Sequence, residues 1–165
     1  MSKDIEKALC EFLLGRVCVL GFGNRLWRDE GVGSILAETL AAVPGVDSID
    51  GGLVPENYLE TVAAKRPDTV LLIDAADHGG QPGEIRLLAP GDLLAAGVST
   101  HAGSPRMLAE YLHRRTRAPV VLLAVQPGDT SDGSALSRPV SEAVSYLRRI
   151  LPGLCGGDAQ QARRP

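Results

Sequence analysis

Cysteine is scarce in this chain of 165 residues, which contains only three. They stand far apart, at Cys10, Cys18 and Cys155, and none belongs to a C-x-x-C pair. Neither a disulfide framework nor a structural zinc site is therefore expected. The cysteine usage predicts a cytoplasmic protein.

Long apolar runs are also missing. No run approaches the roughly 20 apolar residues of a membrane-spanning helix, so no membrane partner is expected. Near the start of the chain, the acidic residues Asp4, Glu6 and Glu11 and the basic residue Arg16 interrupt the apolar residues. That pattern argues against a secretory signal.

An excess of positive charge is absent too. The formal net charge is −3, whereas nucleic-acid-binding domains normally carry a basic face, so no nucleic-acid partner is expected. One dense basic cluster, formed by residues 113–115 and Arg117, falls late in a predicted helix. Its position favours a solvated face that complements the helix dipole.

What the sequence does contain is an alternation of short apolar runs and segments with helical periodicity. The apolar runs predict strands at 16–22, 46–50, 69–73, 84–88 and 118–125. The periodic segments predict helices at 2–14, 55–65, 104–115 and 139–150, a helix that opens at Asp29 or Glu30, and a helical turn at 92–96.

This alternation predicts an α/β fold of three layers, in which a mostly parallel twisted sheet is flanked by helices on both faces. A chain of 165 residues that is 44% hydrophobic fits one compact domain. We expect a helical N-terminal extension at 1–15, a single α/β domain at 16–151 and a disordered tail at 152–165.

The junction between the first strand and the next helix is rich in glycine. Gly21-x-Gly23 follows a strand and Asp50 ends the next one, as in dinucleotide-binding proteins. However, Leu26 stands where the third glycine of G-x-G-x-x-G would fall. The acids at 29–30 also place negative charge near the helix start that should receive a pyrophosphate. A nucleotide-dependent enzyme is therefore disfavoured.

A nucleophilic hydrolase finds little support either. The sequence has no G-x-S-x-G motif, and no cysteine lies in a recognisable nucleophile motif. Ser99 and Ser104 lie near His101, but a loop residue and a helix-capping residue explain them more simply.

A carboxylate and imidazole site is the third possibility. Glu30, Asp74 and His101 follow predicted strands or precede a helix, in segments that a parallel sheet brings to one edge. Two carboxylates and one imidazole can hold a divalent transition metal and leave positions open. Each residue also has a structural interpretation, because acids cap helices and satisfy turns and because His101 can be an ordinary loop residue. Spacing alone leaves both interpretations open.

An ordered set of motifs adds to this pattern. It comprises Gly21-Phe22-Gly23-Asn24-x-Leu26-x-x-Asp29-Glu30-Gly31-x-Gly33, then Asp50-Gly51-Gly52, Leu72-Ile73-Asp74-Ala75, Pro82-Gly83-Glu84 and Thr100-His101. Over residues 16–150 the set resembles the hydrogenase maturation endopeptidases. Val54-Pro55-Glu56-Asn57 and Gln126-Pro127 look like the branch that serves formate-hydrogenlyase-type hydrogenases. Trp27 and Arg28 lie outside the family's motifs.

The resemblance implies an endopeptidase that removes a C-terminal extension from the large-subunit precursor of a nickel-iron hydrogenase after nickel insertion. By motif position, the family's metal-contacting residues fall on Glu30, Asp74 and His101, and the acid of its Asp-Gly-Gly motif falls on Asp50, the candidate catalytic residue. The metal is expected to be nickel carried by the substrate, with another divalent metal as the alternative. The family is grouped with aspartic peptidases, although an aspartic-protease dyad needs two carboxylates that share a proton.

One competing function stays open within the same resemblance. A non-catalytic metal-binding maturation chaperone would use the same carboxylates and imidazole to check nickel insertion without shortening the precursor. The sequence does not predict an oligomeric state.

Overall fold

The computed structural model of the chain describes residues 2–92 and 104–156. Five strands lie within these residues: β1 (Val17–Phe22), β2 (Asp47–Gly52), β3 (Thr69–Ala75), β4 (Ile85–Leu88) and β5 (Val120–Val125). Five α-helices accompany them in the same ranges: α1 (Ser2–Phe12), α2 (Val32–Ala41), α3 (Leu59–Ala64), α4 (Pro105–Thr116) and α5 (Arg138–Cys155). The strands form one sheet in the order β2-β1-β3-β5-β4.

The sheet is mostly parallel. β1 pairs in parallel with β2 and β3, and β3 pairs in parallel with β5, whereas β4 pairs antiparallel with β5 at the edge. β1 and β5 are buried along their whole length, as expected for apolar strands covered on both faces. The α/β fold with a mostly parallel sheet is therefore confirmed.

Helices cover both faces of the sheet, and alternate residues of each strand point to opposite sides. Val17 and Val19 of β1 pack in a core with α1, α2 and α5, whereas Cys18 and Leu20 pack in a second core with α3 and α4. α1 is an integral part of the first core, because its Leu9 is fully buried there. None of the helices within the described residues is long and apolar enough to cross a membrane.

Several element boundaries differ from the sequence prediction. A 3-10 helix at Arg28–Gly31 precedes α2, and the predicted helix at 55–65 begins as a 3-10 helix at Pro55–Tyr58. α5 continues to Cys155, so the expectation that the disordered tail begins at residue 152 was wrong. Leu151 and Cys155 are fully buried against the first core, which explains why the helix continues past Pro152.

Two predictions fall on residues that are not described. Most of the predicted helical turn at 92–96 lies outside the described residues, and so does the remainder of the predicted tail, 157–165.

Candidate functional site

A pocket opens at the edge of the sheet where the parallel strands end. Its volume is about 380 Å³, within the usual size range of ligand sites. The lining comes from the ends of β1, β2 and β3, from the segments that follow β1 and β2, and from the start of α4: Phe22, Gly23, Asn24, Glu30, Gly52, Leu53, Pro55, Asp74, Ala75 and Pro105. Ligands of α/β proteins commonly bind at this edge.

Glu30 and Asp74, two of the three residues predicted to contact metal, line this pocket together. Asp74 is the penultimate residue of β3, and Glu30 belongs to the 3-10 helix that leads into α2. Both side chains are half-buried. The sheet thus brings together two acids that are 44 positions apart in the sequence.

Gly23 lies close to both acids. Its φ is 139°, a conformation that side-chain-bearing residues rarely adopt. A Cβ atom at this position would clash with the carbonyl oxygen of Glu30 and would lie 3.5 Å from Oδ1 of Asp74. The absence of a side chain at Gly23 therefore lets the Glu30 backbone pack against Gly23, next to the Asp74 carboxylate.

The electrostatics of Asp74 suit a site that receives a cation. Burial raises the pKa of its carboxyl group well above the usual range, the backbone N–H of Ala75 acts in the opposite direction, and the negative charge of Glu30 raises it further. A bound cation would favour the ionised form of both acids and would offset these costs. Two carboxylates are also suitable oxygen ligands for a divalent ion.

His101, the third predicted metal contact, lies outside the described residues. Within 2–92 and 104–156, the chain forms no cluster of three or more His, Cys, Asp or Glu side chains that could hold a metal. The described part of the site therefore supplies two carboxylates, and the role of His101 stays a prediction.

Asp50, the predicted catalytic residue, lies in a neighbouring depression that shares Gly52 and Leu53 with the pocket. Its Oδ1 accepts hydrogen bonds from the Ser34 hydroxyl at 2.7 Å and from the Gly52 N–H at 3.0 Å. Its Oδ2 accepts one from Nη2 of Arg25 at 3.0 Å. The carboxylate of Asp50 thus holds the glycine turn after β2 in place, beside the pocket of Glu30 and Asp74.

The sequence predicts that a helix opens at Asp29 or Glu30, and the structure gives Asp29 a role other than capping that helix. The N-cap of α2 is Gly31, which makes no side-chain capping bond. The fully buried carboxylate of Asp29 instead accepts hydrogen bonds from the N–H groups of Gly128, Asp129 and Ser137 and from the Ser137 hydroxyl. Burial raises its pKa, but these bonds outweigh burial and leave the pKa below its usual value.

Gly21, one of the two glycines that suggested nucleotide binding, serves close packing between helix and sheet together with Gly33. A Cβ atom at Gly33 would clash with the carbonyl oxygens of Phe22 and Ile73, and one at Gly21 would clash with the carbonyl oxygen of Gly33. α2 therefore crosses β1 and β3 at a distance that only glycine permits. Glycine spacing alone could not distinguish this packing from a phosphate-binding turn.

Gln126 is a site-supporting residue whose role sequence reasoning did not find. Its buried side chain follows β5, and its Oε1 accepts hydrogen bonds from the N–H groups of His78 at 2.9 Å and Gly80 at 3.2 Å. Its Nε2 donates to Asp77 at 3.1 Å. These bonds fix the loop that follows Asp74. In the sequence, only the position of the Gln126-Pro127 pair after an apolar strand pointed to this residue. The hydrogen-bond partners of the Gln126 side chain lie 46–49 positions away and could not be inferred from spacing.

The chain is similar to known proteins over most of its length. A family model described as HycI, hydrogenase maturation protease, matches residues 32–151. The Hydrogenase 3 maturation protease of Escherichia coli strain K12 is 34% identical over 149 residues, which cover 87% of this chain and 95% of that relative. The hydrogenase expression/formation protein HupD of Bradyrhizobium diazoefficiens is 33% identical over 144 residues, covering 79% and 72% respectively.

Solved structures show the same relationship. The [NiFe] hydrogenase maturation protease HycI from Thermococcus kodakarensis KOD1 superimposes with a TM-score of 0.81 at 31% identity, covering 90% of this chain and 98% of that one. Both the sequence and the overall fold are therefore those of one family. The chain belongs to the hydrogenase maturation protease family.

Proposed function

We propose that this protein removes the C-terminal extension from the large-subunit precursor of a nickel-iron hydrogenase once nickel has been inserted. As a member of the maturation protease family, the chain is a hydrolase that acts on peptide bonds. The observation that carries the proposal is the pairing of Glu30 and Asp74 in one open pocket at the sheet edge. The cytoplasmic location predicted from the sequence belongs to the same proposal.

In this proposal the nickel ion is part of the substrate. Glu30 and Asp74, together with His101, contact a nickel ion that the precursor holds with its own ligands, so the protease responds to metal insertion. The raised pKa of Asp74 supports this assignment, because a cation offsets both the burial of its carboxylate and the repulsion from Glu30. A metal so placed fixes the scissile peptide near the pocket. A carboxylate or a metal-polarised water then supplies the hydrolytic step.

The test compares two forms of one substrate. Purified protein is incubated with nickel-loaded and nickel-free large-subunit precursor, and the mass of the large subunit is followed over time. We expect a shortened product from the nickel-loaded form alone. Equal cleavage of both forms would contradict the nickel requirement, and cleavage of neither would contradict the assignment of this class of precursor.

A further inference from the structure

The segments that border the pocket expose apolar side chains. The described residues expose eight large hydrophobic side chains. The segments that follow β1 and β2 both contribute residues to the pocket lining. Five of the eight side chains lie on these two segments: Leu26, Trp27, Leu53, Val54 and Tyr58. The other three are Leu14, Met107 and Tyr111. Clustered exposure of this kind marks protein interaction surfaces, whereas scattered apolar residues do not.

Leu26 and Trp27 lie in the segment between two residues that line the pocket. They occupy a turn that begins at Asn24 and ends at Glu30, two residues that line the pocket. Within this turn the Leu26 N–H donates to Oδ1 of Asn24 at 2.9 Å, and the Glu30 N–H donates to the Trp27 carbonyl at 3.1 Å. The exposed pair is therefore continuous with the candidate site.

The backbone of this turn is fixed from its other side. The Gly133 N–H donates to the Leu26 carbonyl at 2.8 Å, and the Arg28 N–H donates to the Gly133 carbonyl at 2.9 Å. Arg28 has a φ of 43°, which is unfavourable for a residue with a side chain and persists when the surroundings demand it. The fold therefore presents Leu26 and Trp27 to solvent in a prearranged position, which lowers the entropic cost of binding a partner.

Leu53 belongs to the second of the two segments, the one that follows β2. Its side chain is 69% exposed and also lines the pocket. The two segments are joined directly, because the Gly23 N–H donates to the Gly52 carbonyl at 2.9 Å. A pocket of about 380 Å³ admits only a short peptide segment, so the protein from which that segment emerges must rest on the border.

We propose that Leu26, Trp27 and Leu53 form the docking surface for the folded precursor, against an apolar patch next to the point where its C-terminal extension emerges. The inference rests on the proposed function and deepens it. Glu30 and Asp74 respond to the metal, whereas the apolar border supplies affinity and selects among large subunits. Exposed, rigidly held tryptophan is a common anchor of such interfaces.

The first experiment measures cleavage of nickel-loaded precursor by Leu26→Ser, Trp27→Ala and Leu53→Ser. Leu14→Ser is the matched control, because Leu14 is an exposed leucine that precedes the start of β1, whereas the pocket lies at the opposite, carboxyl end of that strand. We expect KM to rise about tenfold in each border variant with kcat nearly unchanged. Leu14→Ser should behave as wild type. Unchanged KM in all three border variants, with an active wild type, would overturn the docking surface and leave the proposed function standing.

A second measurement needs no substitution. Trp27 is the only tryptophan in the chain, so incorporation of 5-fluorotryptophan gives a single fluorine resonance. Unlabelled precursor should shift or broaden that resonance, and a resonance that stays unchanged at saturating precursor would contradict the proposal. If the protein alone forms dimers that Trp27→Ala disrupts, the occupant is a second copy and the proposal is wrong. Failure of the wild type to bind or cleave any large-subunit precursor would instead refute the proposed function and this partner with it.

Discussion

The carboxylate of Asp29 accepts two hydrogen bonds from Ser137, one from its backbone N–H and one from its hydroxyl, each at 2.7 Å and across 108 positions of sequence. Ser137 is the N-cap of α5, and Asp29 directly precedes Glu30 in the 3-10 helix. One buried carboxylate therefore connects the start of the last helix to the loop that positions Glu30. This connection lies next to the candidate site in sequence, because Glu30 lines the pocket.

Replacement of Asp29 should destabilise the protein strongly. Asp29→Asn keeps the size of the side chain but removes the charge and places an N–H₂ group where the structure needs an acceptor. Since a hydrogen bond to a charged group contributes about 1.5–3 kcal/mol, we expect the free energy of unfolding in urea to fall by about 3 kcal/mol. The control is Asp132→Asn, because Asp132 is an exposed residue of the loop between β5 and α5, the loop whose backbone bonds Asp29. This substitution should change the free energy of unfolding by less than about 0.5 kcal/mol.

Asp29 should also make stability depend on pH. Its pKa is lower in the folded protein than in the unfolded chain, where it is about 3.9. Its contribution is therefore complete above the unfolded value and is lost as the pH falls through the lower folded value. Urea unfolding of wild type and Asp29→Asn between pH 6 and pH 3 should show the difference between them shrinking toward the acidic end. A constant difference would contradict the assignment.

Gly23 should tolerate no side chain. Gly23→Ala combines an unfavourable φ with a clash against the Glu30 carbonyl, so the loop has to move. The control is Gly79→Ala, because Gly79 also has a positive φ of 78° but has open space around its Cβ position. Gly79→Ala should cost about 1 kcal/mol, and Gly23→Ala about 1–3 kcal/mol more, with loss of precursor cleavage. Equal unfolding free energies for the two variants would refute the packing role of Gly23.

The position of Asp50 predicts a modest effect on activity. Asn at this position can still accept hydrogen bonds from Ser34 and Gly52, although its amide faces Arg25 unfavourably. We expect Asp50→Asn to lower precursor cleavage by less than about tenfold, whereas loss of a general acid or base typically costs about 10²–10⁴-fold. A loss in that larger range with normal stability would show that Asp50 acts directly in catalysis.

A matched carboxylate controls for the loss of charge on β2. Asp47 lies on the same strand and pairs with Arg16 and Lys65, away from the pocket. Asp47→Asn should leave cleavage unchanged.

Much of the fold was predictable because the central strands are buried on both faces. β1, β3 and β5 therefore appear in the sequence as short apolar runs, and the helices between them require parallel pairing. The polar ends were harder to assign, since Asp74 remains in β3 only through its pairing with Ala124 of β5. The antiparallel direction of β4 is likewise a property of the assembled sheet.

The site was predictable where it depends on strand ends and unpredictable where it depends on distant partners. Glu30 and Asp74 line one pocket because β1 and β3 are neighbours and their carboxyl ends share an edge. The role of Asp29 depends on Ser137 and on the 128–129 backbone, about a hundred positions away. Its neighbouring sequence therefore shows only a possible helix cap.

Glu30 and Asp74 should determine nickel-dependent association with the precursor. Glu30→Gln and Asp74→Asn keep the side-chain size but remove an anionic oxygen ligand. Loss of an outer-sphere partner of a metal typically costs about 10–100-fold in affinity, and loss of a ligand should cost no less. We therefore expect each variant to bind nickel-loaded precursor at least about tenfold more weakly than wild type, by calorimetric titration.

Two comparisons make this result specific. Nickel-free precursor should bind wild type and both variants with similar affinity, because the lost interaction exists only with the metal. Glu142→Gln, which removes an exposed carboxylate on α5, should bind nickel-loaded precursor as wild type does. Equal weakening toward both forms of the precursor would show that Glu30 and Asp74 support the pocket's structure and do not contact the nickel ion.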